Sequence, residues 1–263
     1  MAVRLEFDSG LALGLEETTL AFEYGAGMFG PEPEMRRLDA IRASLRDPQC
    51  SGPDPVYGIA MDIGREEDRA ALEKRTLLFG AVVYAGGRLG DEPVRSQGHI
   101  HKVAPHCGWS TPEIFEIWSG TAIVYAQERA EDDPGRCIAV TAKAGDQVVV
   151  GPGWAHCVIN ADPGSRMAFG AWCDRQYGFE YAGVRAHHGL AWFPLLTEAG
   201  TIEWQANPRY VASRLEEHAA RGYPELGLDA GRSLYGQFVD DADSVMFVAE
   251  PGRVADVWPA FAP

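Results

Sequence analysis

Between Val94 and Phe193 the chain breaks into short apolar runs separated by Gly, Pro and Asp turns at close spacing, the pattern of an all-β domain. Pro112-Glu-Ile-Phe-Glu-Ile-Trp-Ser-Gly120 alternates like a strand and stops at a turn glycine. Ala144-Gly-Asp-Gln-Val-Val-Val-Gly-Pro152 reads as turn, apolar strand and turn. Upstream, Val56–Ile63 and Thr76–Tyr84 are strand-like, and shorter pieces lie at Leu5–Phe7 and Leu11–Leu13. Leu38, Ile41 and Leu45 recur at helical spacing, so a helix is expected over 34–45. Asp47–Pro55 is a turn-rich connector, and the charged 66–74 segment a solvated helical turn. Beyond residue 209 the pattern changes. Tyr210–Arg221 predicts a helix ending at Gly222, Ser233–Phe238 a second short helix, and Val245–Val248 a strand or packed arm. The expected organisation is a β domain over 1–208, with N-terminal strands and a helix, and a mixed helical C-terminal extension over 209–263. That extension is expected to pack on the barrel or on a subunit interface rather than to gate a site.

Composition narrows the class. The 263 residues suffice for one large core, and 46% hydrophobic content is ordinary for a globular chain. A net charge of −15 argues against nucleic acid and against an anionic membrane surface as partners. No apolar run approaches the length of a membrane span. The five cysteines are odd in number and include no Cys-x-x-Cys, so a disulfide framework is not expected and a reducing cytoplasmic location is.

The candidate chemistry sits in the β region. His99 and His101 are two apart, so on a strand both point to one face. With a carboxylate from the 113–119 segment and with His156, they make three imidazoles and one carboxylate, a set suited to a divalent transition metal. Glu113 and Glu116 face opposite sides of a strand, and both choices leave apolar neighbours inside, so periodicity leaves the carboxylate open. His106, in a Pro/Cys/Gly-rich insertion, is a weaker rival ligand, and Cys157 points away from the centre as packing.

The order of these pieces resembles the cupin family. Its first motif, G-x(5)-H-x-H-x(3,4)-E-x(6)-G, is matched by a glycine at 90 or 98, His99, His101, Glu113 and Gly120, with a longer gap before the glutamate. Its second, G-D-x(4)-P-x-G-x(2)-H-x(3)-N, is matched by Gly145-Asp146, Pro152, Gly153, His156 and Asn160. Counted back from Gly120, the family's glutamate falls on Glu113. The resemblance implies a cupin double-stranded β-helix, a jelly-roll barrel. Within the cupins the chain is similar to the metal-dependent glucose-6-phosphate isomerases. The matching stretches are Asp54–Tyr57, Gly86–Glu92, Gly98–His101, Glu113, Gly120, Ala144-Gly145, Gly151–His156, Asn160, Tyr177-Gly178 and Asn207–Tyr210.

That resemblance implies an aldose–ketose isomerisation between glucose 6-phosphate and fructose 6-phosphate. It implies one divalent ion per chain, Fe(II) foremost with Mn(II), Ni(II) or Zn(II) as replacements, held by His99, His101, Glu113 and His156. Tyr57, Ser96, Gly98 and Tyr177 fall on sugar-pocket positions, and Glu113 and Tyr177 are the candidate catalytic residues. Three positions depart from the family. Ser96-Gln97 stands for Thr-Lys, Val82 for a phosphate-contacting threonine, and Phe115 for tyrosine. Arg95, Lys102 or amides near Gly98 are the candidates to restore the lost phosphate contacts. The readings that compete are an isomerase of an unphosphorylated or acidic sugar, an Fe(II) dioxygenase, and a sugar-binding cupin without catalysis. An open cupin sheet leaves edges to cover, so a homodimer with crossing N-terminal strands is expected.

Overall fold

The computed structural model describes residues 3–176 and 178–263. Two β-sheets face each other. The larger has six antiparallel strands in the order Gln147–Val150, Glu113–Ser119, Met167–Asp174, Leu77–Tyr84, Tyr57–Met61 and Glu34–Arg36. The smaller runs Ala155–Asn160, Thr121–Gln127, Cys137–Lys143 and Leu215–Ala219, the last pair parallel. This is a two-sheet β-sandwich, the all-β architecture that the resemblance implies.

Three apolar layers explain why several strands read as continuous apolar runs rather than alternating ones. Between the sheets, Phe115, Ile117, Val148, Phe169 and Tyr84 meet Val124, Ala126, Val140 and Val158. Outside the large sheet, Phe79, Ile114, Trp118 and Trp172 are covered by Leu234, Tyr235, Phe238 and Val245–Ala249. Outside the small sheet, Ile123, Tyr125, Cys157 and Ile159 pack on Val184, Leu190 and Tyr210. With both faces covered, all eight residues of Leu77–Tyr84 are buried.

The sequence expectations held for the strands at 57–61 and 77–84, the helical turn ending at Lys74, and the short helix Leu234–Asp240. Two helices did not form as expected. Over 34–45 the chain is first a strand, Glu34–Arg36, and helical only from Leu38 to Ile41 before a 3₁₀ turn over Arg42–Ser44. Glu34 pairs with Ile59 and Arg36 with Tyr57, so backbone pairing takes residues that local spacing assigned to a helix. Tyr210–Arg221 contains no helix. Leu215–Ala219 is a strand, paired with Cys137–Thr141. An exposed edge on Cys137–Lys143 would leave a row of unpaired amides and carbonyls, and the mostly polar 215–219 segment caps it. Val245–Val248 is a buried, turn-rich arm.

Glu116 anchors the C-terminal helix. It points to the outer face of its strand, is fully buried, and accepts the backbone N–H of Leu234 at 2.6 Å and the Trp118 indole N–H at 2.9 Å. Burial pushes its carboxyl up to about 7, against the pull of these hydrogen bonds. A carboxyl raised in the folded state contributes stability that is complete below about pH 4.5 and lost as pH rises through about 7. Glu116→Ala leaves two buried donors unpaired and is expected to cost about 2–4 kcal/mol in urea denaturation at pH 5, with a smaller loss at pH 8. A change below about 0.5 kcal/mol, the range of an ordinary surface substitution, at both values would show that this contact does not hold the extension.

Candidate metal centre

The four expected ligands converge between the sheets. Glu113 opens its strand in the large sheet, and His156 lies on the facing strand Ala155–Asn160. His99 joins His156 through an antiparallel bridge with N···O distances of 3.0 and 2.9 Å, and His101 ends the two-residue strand Ile100–His101. The ring centroid of His99 lies 5.2 Å from that of His101 and 4.4 Å from that of His156. Ligand atoms of His99, His101, Glu113 and His156 all lie within 4.8 Å of one another.

Hydrogen bonds behind the rings set which nitrogen faces the centre. His101 Nδ1 lies 2.9 Å from the Thr111 carbonyl, and His156 Nδ1 lies 3.1 Å from the Trp154 carbonyl. A carbonyl only accepts, so each Nδ1 carries the proton and each Nε2 turns a lone pair inward. Glu113 Oε2 stands 3.2 Å from His101 Nε2 and 3.1 Å from His156 Nε2. Lone pairs at that range repel unless a cation lies among them. The Nε2 atoms of His99 and His101 are moreover buried without a hydrogen-bond partner among the described residues. Burial, and the neighbouring His156 and His101, hold the His99 imidazole well below its usual range, so it stays neutral as a ligand must. Burial alone would raise the Glu113 carboxyl, but the adjoining His101 and His156 outweigh it and hold the group well below the usual range. Donor set, orphaned nitrogens and buried anion all fit one divalent cation.

The rivals lie elsewhere. Glu116 faces the other side of the sheet, as described. His106 Nε2 contacts Asp174 Oδ2 at 3.1 Å and the Ala249 carbonyl at 3.0 Å, outside the four-ligand group. One partner escaped the sequence reading. The Cys173 thiol sits 3.2 Å from Glu113 Oε1 on the adjacent strand, where burial and the Glu113 charge push it well up and keep it protonated as a donor. Nothing in the spacing of the cysteines points to this, because the contact follows from the register that sets Ile114 opposite Trp172.

A cavity of about 230 Å³ opens on the centre, reached by His99, Glu113 and His156. Its walls are largely apolar, with Ile59, Val82, Phe115, Val158 and Phe169. Tyr57 lines it, buried and stacked on Tyr84 at 4.9 Å, with burial raising its hydroxyl so that it remains a donor. Ser96 also lines it, its Oγ accepting the Val158 N–H at 3.1 Å. Gly98 does not. Its φ of +85° shapes the turn into His99, and a Cβ there would meet Leu190 at 3.2 Å. Tyr177 lies outside the described residues. No described residue of the 209–263 segment lines the cavity.

The cations expected to restore phosphate contacts are not in this cavity. Arg95 is spent on buried Glu92 at 2.6 Å and on the Ser44 carbonyl at 2.7 Å, and Lys102 is exposed. Gln97 faces the cavity, but its side-chain oxygen accepts from Arg185 at 2.9 Å. The charged residues that do line the cavity, besides the ligands, are Glu34 and Arg36, which the expected helix had hidden.

A sequence model of the glucose-6-phosphate isomerase (GPI) family matches residues 37–212. Among curated proteins no sequence matches the chain. Solved structures with a similar course include vicilin from Corylus avellana (hazelnut), at 10% identity and TM-score 0.36, covering 49% of this chain and 33% of vicilin. An oxalate oxidase matches at 18% identity and TM-score 0.28, over 38% of this chain and 43% of its own. A two-residue deletion mutant of Bacillus subtilis oxalate decarboxylase matches at 14% and 0.33, over 48% and 28%. The matched region thus spans less than half the length of each of these proteins.

Proposed function

Because the chain belongs to the glucose-6-phosphate isomerase family, we propose that it is a metal-dependent aldose–ketose isomerase interconverting glucose 6-phosphate and fructose 6-phosphate. The observation that carries this reading is the buried His99–His101–Glu113–His156 group whose inward lone pairs open onto a largely apolar cavity. A divalent ion there, Fe(II) foremost and Mn(II), Ni(II) or Zn(II) as substitutes, would supply Lewis-acid polarisation of the open-chain sugar's C1 carbonyl and C2 hydroxyl.

The chain's own residues do the rest. With His99, His101 and His156 as imidazole partners, Glu113 is the anionic group at the centre. Its Oε2 faces the imidazoles, while Oε1 takes the Cys173 thiol proton in a hydrogen bond. That division lets one carboxylate act as ligand and still stand near C1 and C2 as the group that holds a proton in transit. Tyr57 offers a protonated hydroxyl to a sugar oxygen, and Tyr177, which the family resemblance puts at a sugar-pocket position, is proposed for the same role. Phe115, Val158 and Phe169 keep bulk water from the reacting carbons.

The test is an aldose–ketose assay on the metal-loaded protein across phosphorylated and free sugars. Turnover of glucose 6-phosphate well above that of other aldoses supports the assignment. Turnover of only unphosphorylated or acidic sugars keeps the isomerase and removes this substrate. The apolar cavity wall favours one second reading, an Fe(II) dioxygenase, for which oxygen uptake without isomerisation is the signature. The homodimer and a cytoplasmic location belong to the same proposal. Sedimentation velocity at micromolar concentration is expected to show a dimer, and a lone monomer would remove that part.

A further inference from the structure

We propose that Arg36 is the specificity-determining residue of the cavity, taking the anionic group at the end of the substrate remote from the metal centre. Resting on the isomerase reading only for what happens at the other end, the assignment follows from where the fold puts this guanidinium. Glu34 and Arg36 are two apart on one short strand, so both side chains face the same way. Across the sheet, register aligns Arg36 with Tyr57, Tyr57 with Tyr84 and Tyr84 with Met167. Glu34 aligns with Ile59, Val82 and Phe169 in the next row. The rows form one wall of the cavity, and Glu113 stands three strands beyond Tyr57 on the same sheet. Arg36 is therefore the cation at the far side of a space whose other side is the metal centre.

The guanidinium is held but not spent. Its Nη2 meets Glu34 Oε1 at 2.8 Å, yet that carboxylate is 69% exposed, and an ion pair on so exposed a partner is weak. Its Nε is buried and has no hydrogen-bond partner among the described residues. A buried N–H donor without a partner is uncommon, and one that lines a cavity is a place for an acceptor. Nε and Nη2 form one edge of the planar guanidinium, the edge that takes two oxygens of a phosphate or carboxylate at once. The wall between this edge and the metal centre carries Val82 and Phe169, which donate nothing, and, in the row of Arg36 itself, the uncharged hydroxyls of Tyr57 and Tyr84. Among the described residues that line the cavity, Arg36 is thus the side chain that offers an anion a full positive charge. In a chain of net charge −15 that local cation also offsets the long-range field that opposes an anionic substrate.

The ligand chemistry is an anion on a polyhydroxylated chain, from a phosphate ester or from a terminal carboxylate. Binding probes that cannot isomerise separate this proposal from the reaction itself. Glucitol 6-phosphate, gluconate and glucitol are titrated by calorimetry into the metal-loaded full chain. One or both anions are expected to bind at least about tenfold tighter than glucitol. Arg36→Met is expected to weaken the preferred anion about 10- to 100-fold, the value of losing charged hydrogen bonds, while leaving glucitol affinity and metal content unchanged. Arg36→Lys keeps the charge without the two-donor edge and should recover part of the loss. Glu34→Gln removes the competing carboxylate and should tighten the anion. Preference for glucitol 6-phosphate identifies a phosphate end and preference for gluconate a carboxylate end, and either upholds the anchor. No preference for an anion in the parent protein, or an anion-to-glucitol ratio unchanged in Arg36→Met, overturns it. An anchor that passes this test in a protein that isomerises no aldose would sink the isomerase reading and leave the anchor standing.

Discussion

Replacing His99 and His156 together by alanine is expected to abolish metal binding and, with it, turnover. The two residues face each other across a main-chain bridge, so the double change removes half of the ligand set without touching the register of either strand. His101 and Glu113 would remain, at 3.2 Å, as a two-ligand remnant. Loss of an outer partner of a metal ligand typically costs about 10- to 100-fold in affinity, and loss of two ligands must exceed that. After dialysis, elemental analysis should find background metal in the variant. Thermal unfolding gives an independent readout. A ligand at about 100 times its Kd stabilises the native state by about 2.7 kcal/mol, so the parent protein should gain melting temperature on metal addition and the variant should not. Full occupancy in the double variant would remove the four-ligand centre.

Glu113→Gln is expected to reduce turnover by about 10²- to 10⁴-fold, the range associated with a positioned acid–base group. The change is nearly isosteric, so the fold is retained while the negative charge between His101 and His156 that would balance the cation goes, and one of the two acceptor oxygens facing the imidazoles and the Cys173 thiol becomes an NH2 donor. Kinetics at saturating metal separate the causes. If activity returns as metal is raised, the loss was affinity. If it stays low with metal bound, the loss was proton transfer. A variant with unchanged kcat and unchanged metal content would show that Glu113 has neither role.

The candidate site was readable before the fold because its chemistry is written in local spacing. His99 and His101 share a strand face by simple alternation, and the turn glycines around Glu113 and His156 mark where those strands start and stop. The remote end of the cavity was not readable. Arg95 and Lys102 looked like pocket cations by their closeness in sequence to His99 and His101, but one is buried on Glu92 and the other is exposed. Arg36 is far in sequence from the ligands and sat in a segment whose apolar spacing suited a helix.

Periodicity and residue type alone gave an all-β domain, the three histidines of the candidate metal group, the strands at 57–61 and 77–84, and the short helix at Leu234–Asp240, while the family motif picked Glu113 over Glu116. What depends on pairing between distant segments was set by the packed fold. Leu215–Ala219 became a strand because Cys137–Lys143 had an edge to satisfy, although the local pattern favoured a helix. Glu34–Arg36 became a strand against Tyr57–Met61 and so turned Arg36 into the cavity. Cys173 met Glu113, and Glu116 met Leu234, through sheet register and through docking of a helix more than a hundred residues away. Propensity is a property of a few neighbouring residues and is worth fractions of a kcal/mol per position, whereas leaving a buried amide or carboxylate unpaired costs more than that at each group, so distant partners overrule local preference.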